Sequence, residues 1–95
     1  MDYLKKFNLS DFDVVEIITS IDDMDINHLY VNEEKVIETL NYFDKLGIKN
    51  IKELIINKSY LLYESIDDIK SKIEALDVED LVNQLNNEVE NCELI

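Results

Sequence analysis

An all-α fold is predicted by three observations on this 95-residue chain. It has no Pro and a single Gly, its apolar residues recur at spacings of three and four, and one six-residue corner pattern occurs three times. Sheet-rich small domains need turn chemistry that this composition lacks. The corners are Phe7-Asn8-Leu9-Ser10-Asp11-Phe12, Leu46-Gly47-Ile48-Lys49-Asn50-Ile51 and Leu76-Asp77-Val78-Glu79-Asp80-Leu81. Each reads apolar, turn-forming, apolar, polar, Asp or Asn, apolar, as the chain does between one helix and the next. They lie 39 and 30 positions apart, periods that belong to helical-hairpin solenoids whose units bury their apolar faces on their neighbours. The expected architecture is a small helical-hairpin repeat, α-solenoid-like, of about five to seven short helices. Residues 1–88 form one domain in this reading, and 89–95 form an acidic C-terminal tail open to fraying.

Taken in order, residues 2–8 place Leu4 and Phe7 three apart, one turn of apolar face before the first corner. Ser10 is a helix N-cap with Asp13 three positions on, the spacing of a capping box. Phe12, Val15 and Ile18, with Val14, Ile17 and Ile21, then make a broad apolar stripe, which predicts a mostly buried helix. From Asp22 to Asn32 the periodicity breaks, and a loop anchored by Leu29-Tyr30-Val31 is expected. Asn32 is placed as the cap of a helix through Val36, Ile37, Leu40, Phe43 and Leu46, with Gly47 where a left-handed residue ends it. Asn50 is placed as the cap of a short helix through Ile51, Leu54 and Ile55. Asn57-Lys58-Ser59 interrupts that helix, and Tyr60-Leu61-Leu62-Tyr63 forms an apolar turn. Ser65 with Asp68 opens a helix through Ile66, Ile69, Ile73 and Leu76, and Asp77 with Asp80 opens the last one through Leu81, Val82 and Leu85. Asn86-Asn87 and the acidic stretch after them suggest fraying, while Leu94 and Ile95 are apolar enough to dock.

Charge is the second strong signal. Acidic residues number 22 against 9 basic ones, for a net charge of −13, and every basic residue is Lys. Nucleic-acid binders normally carry net positive charge and use the Arg fork on phosphates and guanine edges, so direct nucleic-acid binding is disfavoured. A basic protein partner suits the sign better, and acidity also serves solubility. The charge is segregated: the stretch from Asp11 to Glu34 holds eight acidic residues and no Lys, and that from Glu74 to Ile95 holds seven and no Lys. Closely placed carboxylates imitate a phosphate backbone, so the candidate partner-binding residues are Asp22, Asp23, Asp25, Glu33, Glu34, Asp77, Glu79 and Asp80.

The middle unit, from Leu40-Asn41-Tyr42-Phe43-Asp44-Lys45-Leu46-Gly47-Ile48 through Lys49-Asn50-Ile51-Lys52-Glu53-Leu54-Ile55-Ile56-Asn57-Lys58-Ser59-Tyr60-Leu61-Leu62, resembles the repeat of the mitochondrial transcription termination factor family. That repeat has a helix ending in Leu-Gly-Val or Leu-Gly-Ile, a short second helix, and a Pro before a Leu-Leu turn. The resemblance covers about one repeat well and its neighbours in outline. It implies a helical-repeat fold and, by carry-over, nucleic-acid contacts from Lys45, Lys49, Lys52 and Lys58. Ser59 stands where the family has its Pro, and no Arg lines a concave face, so the resemblance bears on fold more than on function.

Catalytic chemistry has little to work with. His28 and Cys92 are each the single residue of their kind and lie far apart in sequence, so neither a zinc set nor a Cys-His nucleophile is expected. One Cys allows no intrachain disulfide. Gly47 alone cannot make a phosphate loop. Asp22, Asp23 and Asp25 with Glu33 and Glu34 lack the central Gly and terminal Glu of a calcium loop. Tyr42, Tyr60 and Tyr63 are read as core with hydroxyls reaching water, or else as an aromatic patch for a partner. No run is apolar enough for a signal peptide or a membrane span. The expectation is therefore a cytoplasmic, non-enzymatic, cofactor-free interaction module, an inhibitor or nucleic-acid mimic acting on a basic nucleic-acid-binding protein, with nucleic-acid binding through the middle-unit lysines as the alternative.

Overall fold

Helix starts are written into this chain by Ser and Asp, and the computed structural model, which describes residues 2–92, 94 and 95, shows helices and no strand among those residues. Met1, and Glu93 of the expected acidic tail, lie outside the described residues. A 3-10 turn over Asp2–Phe7 precedes α1 (Asp11–Ser20), α2 (Asp23–Val31), α3 (Glu33–Lys45) and α4 (Ile51–Asn57). A second 3-10 turn (Ser59–Tyr63), α5 (Ile66–Glu74), α6 (Val78–Asn87) and a short 3-10 turn (Val89–Asn91) complete the order. The protein is a small all-α domain.

The caps follow the sequence where a hydroxyl or carboxylate precedes a helix. Ser10 Oγ accepts from the Asp13 amide at 3.1 Å, and Asp13 accepts from the Ser10 amide at 2.9 Å, which completes the capping box. The Ser10 amide also holds the Asp13 carboxyl below the usual carboxylate range. Ser65 and Asp77 likewise accept from the amides three residues on. The two Asn caps are corrected. Asn32 and Asn50 stand at N-cap positions without a side-chain cap bond. Asn32 Nδ2 turns back to His28, and Asn50 Nδ2 donates to the Leu85 and Asn86 carbonyls at the end of α6. An amide side chain offers donors as well as an acceptor, and here the His28 ring took the donor of Asn32 while the carbonyls at the end of α6 took those of Asn50.

The corners share less than their sequences do. At Gly47, φ is +98°, and the amides of Gly47 and Ile48 donate to the carbonyls of Asp44 and Phe43, a full Schellman closure. Asn8 takes the same left-handed region at φ +63°, which Asn tolerates better than most residues. Asp77, the matching residue of the third corner, has φ −73° and is itself the cap of α6. The first corner starts its helix after Ser10, the second after Asn50 and the third after Asp77, so one sequence pattern yields three offsets.

Packing centres on α3 and α4. The first 3-10 turn, α2, α4 and α5 lie against α3, while α1 and the last 3-10 turn lie against α4. The hairpin units thus share one core of Leu4, Ile17, Leu29, Leu40, Phe43, Leu54, Ile69, Ile73, Leu81 and Leu85, all essentially inaccessible. Burying each such side chain stabilises by about 1.5–3 kcal/mol, so the shared core is the main source of stability. Two expectations fail. The stretch from Asp22 to Asn32 is a helix, started by Asp22 accepting from the Asp25 amide at 2.9 Å. Helix α1 is not mostly buried: Ile17 is inaccessible, but Phe12 is 88% and Val15 57% exposed. Five apolar side chains spread round a ten-residue helix cannot all turn inward.

The C-terminal segment is part of this core. Val89 and Cys92 are buried, and the buried Lys58 donates its Nζ to the Cys92 carbonyl at 2.8 Å and the Ile95 carbonyl at 3.0 Å. Asn86 also departs from the fraying expectation: its side chain donates to the Gly47 carbonyl at 3.0 Å and accepts from the Lys49 amide at 2.7 Å. That amide side chain locks the end of α6 to the corner between α3 and α4.

Candidate interaction surface

Every α-helix carries an acidic residue in its first turn, where carboxylates complement the helix dipole. The candidate acids divide on this basis. Asp22 and Asp77 are caps, engaged by the amides of Asp25 and Asp80. Asp80 also accepts from Gln84 Nε2 at 3.1 Å. Asp25 is a structural tie: its two oxygens accept from Ser59 Oγ at 2.9 Å and Tyr63 OH at 2.6 Å, joining α2 to the second 3-10 turn. Asp23, Glu33, Glu34 and Glu79 are exposed, and no ion pair engages them among the described residues.

The acidic stretch is not uniform. Around α1, Lys5 pairs with Asp11, and Lys52 reaches Glu16 at 2.6 Å and Asp13 at 3.7 Å. The Glu16 carboxylate raises the Lys52 pKa, as expected for a cation held by its partner. Among the described residues, no ion pair of this kind engages the carboxylates of the α2 region. Asp22 and Asp23 lie at its start, with Glu33 and Glu34 just past its end. The Lys nearest in sequence, Lys35, turns its Nζ to the Tyr63 carbonyl at 2.8 Å.

The lysines named for the alternative reading are placed differently from one another. Lys58 is buried and holds C-terminal carbonyls, and Lys52 pairs with carboxylates. Lys45 and Lys49 stand in solvent. An open groove of about 580 Å³ runs where the first two corners meet, lined by Asn8, Gly47, Lys49 and Lys52 but also by Asp13, Asp44 and Glu53. Its charge is mixed.

Beside the Asp25 tie, His28 and Tyr63 stack at 4.0 Å between ring centres with their planes 18° apart. His28 Nε2 lies 2.8 Å from the Leu62 carbonyl, which can only accept, so Nε2 carries the proton. Nδ1 then accepts from Asn32 at 3.0 Å. The neutral imidazole thus satisfies both nitrogens and joins α2 to the second 3-10 turn. The hydroxyl of Tyr63 is bonded to Asp25 and that of Tyr60 to the Ile95 carbonyl, with both rings partly exposed, while Tyr42 is half-buried.

Sequence reasoning missed the apolar half of this surface. Met24 is 75%, Tyr30 57% and Val31 70% exposed on α2. Tyr30, Val31, Asn32, Glu33, Glu34 and Lys35 line one open depression of about 620 Å³ at the α2–α3 junction. The available signal was a surplus: residues 24, 26, 29, 30 and 31 are apolar, too widely spread round a helix for one face to bury. Among the described residues, no three His, Cys, Asp or Glu side chains are grouped to hold a metal ion, and no helix is long and apolar enough to cross a membrane. Comparison with protein-family models, curated proteins and solved structures finds no match to this chain.

Proposed function

We propose that this chain is a non-enzymatic, cytoplasmic protein-interaction module whose partner is a basic protein, one that handles nucleic acid and meets these carboxylates in place of phosphates. The observation that carries the reading is the charge around α2, which no ion pair offsets among the described residues. Asp22, Asp23, Glu33 and Glu34 are exposed with no Lys in the stretch from residue 11 to 34. Such a field raises the encounter rate with a basic surface and repels nucleic acid. The middle unit's resemblance to mitochondrial transcription termination factor repeats is proposed as a likeness of the helix, corner and short helix. Of the lysines through which nucleic-acid binding would have to run, Lys52 and Lys58 are already engaged inside the fold.

The test is capture from lysate at low and moderate salt, with bound protein and nucleic acid both identified, using the native chain and a D23N/E33Q/E34Q variant. Recovery of a basic nucleic-acid-handling protein, released by salt and lost in the variant, is the expected result. Binding indifferent to salt rules out charge mimicry. Recovery of nucleic acid itself, abolished by reversing Lys45 and Lys49, would overturn the proposal.

A further inference from the structure

We propose that the outward face of α2 and the depression at its end form the apolar anchor of a docking surface for a basic amphipathic segment of a partner protein. This deepens the reading above and rests on it. Met24, Asn27 and Val31 recur at i, i+3 and i+7 on α2, and all three are exposed. Met24 and Val31, with Asn27 between them, form one stripe that no other element covers among the described residues. At the stripe's end, Tyr30 and Val31 share the depression with Glu33 and Glu34.

Charge complementarity selects the occupant. Carboxylates flank the stripe at both ends, Asp22 and Asp23 before it and Glu33 and Glu34 after it, and Lys35, which lines the same depression, commits its Nζ to the Tyr63 carbonyl. A second copy of this chain would bring the same acids against each other, and like charges across an interface are repulsive. A segment with Lys or Arg beside Leu, Ile or Phe satisfies both halves: its apolar residues cover Met24 and Val31, and a cation reaches the carboxylates and the Tyr30 ring. The apolar contact supplies affinity that salt does not remove, while the acids supply orientation and speed.

The experiment titrates the full chain with two synthetic peptides of equal charge. One is an amphipathic Lys/Leu helix, and in the other every Leu is replaced by Ser. Binding is read from amide chemical shifts. Native protein is expected to prefer the Leu peptide by about tenfold, the effect of burying one or two aliphatic side chains. M24S/V31S is expected to abolish that preference and leave binding of the Ser peptide unchanged. Both side chains are exposed, so folding should survive, and circular dichroism verifies it. F12S, on α1, serves as the control and should retain the preference. Equal affinity for the two peptides, with salt-sensitive binding of both, overturns the apolar anchor but leaves the acidic reading standing. A preference that survives M24S/V31S also overturns the anchor. Concentration-dependent dimerisation abolished by M24S/V31S would make a second copy the occupant and overturn the proposal. Absence of binding by either peptide overturns both readings.

Discussion

Thr39 sits fully buried in α3, with a hydroxyl that finds no hydrogen-bond partner among the described residues. A buried, unsatisfied hydroxyl destabilises, whereas a methyl of the same shape does not. Thr39→Val should therefore stabilise the domain by about 1 kcal/mol, seen as a higher urea midpoint with an unchanged slope. Two tyrosines give the residue scale a pH dependence. Burial, with help from Glu33, pushes the Tyr3 hydroxyl up to about 12, and the bond to Asp25 pushes Tyr63 up to about 12, from an ordinary value of 10.0. Each is neutral in the fold and would ionise more readily in the unfolded chain. Their stabilisation is complete below pH 10 and should fall away as pH rises from 10 to about 12. Tyrosinate absorbance and circular dichroism followed together should show ionisation and unfolding overlapping in that window. Ionisation of Tyr3 and Tyr63 near pH 10 with helicity intact would refute it.

Elements in this chain end with unusual partners. Without Pro, and with one Gly, carbonyls at helix ends and in the C-terminal segment are met by side chains from far along the sequence. Tyr3 OH donates to Leu29 at 2.7 Å, Asn50 to Leu85 and Asn86, and Lys58 to Cys92 and Ile95. The last of these holds the C-terminal segment over α4 and keeps Cys92 buried. Lys58→Met should loosen that segment while leaving α3 packed, so Cys92 should react with a thiol reagent faster than in the native chain. Equal labelling rates would mean that the apolar contacts of Val89 and Cys92 suffice to hold it. The cap of α1 is separately testable. Ser10→Ala should cost about 1 kcal/mol, measured by denaturant unfolding.

The whole molecule is a small acidic body of 32 × 25 × 22 Å with a net charge of −13. Its dimensions compare with a screening length of about 30 Å at 0.01 M salt and about 8 Å at 0.15 M. At low salt, carboxylates across the whole body repel one another, and at moderate salt only near neighbours do. The melting temperature should therefore rise with sodium chloride up to moderate ionic strength and then flatten. A fall would show that ion pairs such as Lys52 with Glu16 outweigh the self-repulsion.

Helices that announce their starts and stops are legible from local residues alone. Ser10, Ser65 and Asp77 cap as read, Gly47 ends α3, and the Tyr60-Leu61-Leu62-Tyr63 turn is present as a 3-10 turn with Leu61 and Leu62 buried, because these depend on residues within a few positions of each other. The sign and segregation of charge were equally legible. What lay beyond the sequence depended on which neighbour arrived. Helix α2 was hidden because its apolar residues follow no single face. Asn32, Asn50 and Asn86 found partners at other elements. Phe12, Val15, Met24 and Val31 read as apolar in any local window, and only tertiary packing left them facing water. Local rules set where a helix begins, but the limited area of one shared core decides which apolar side chains it admits.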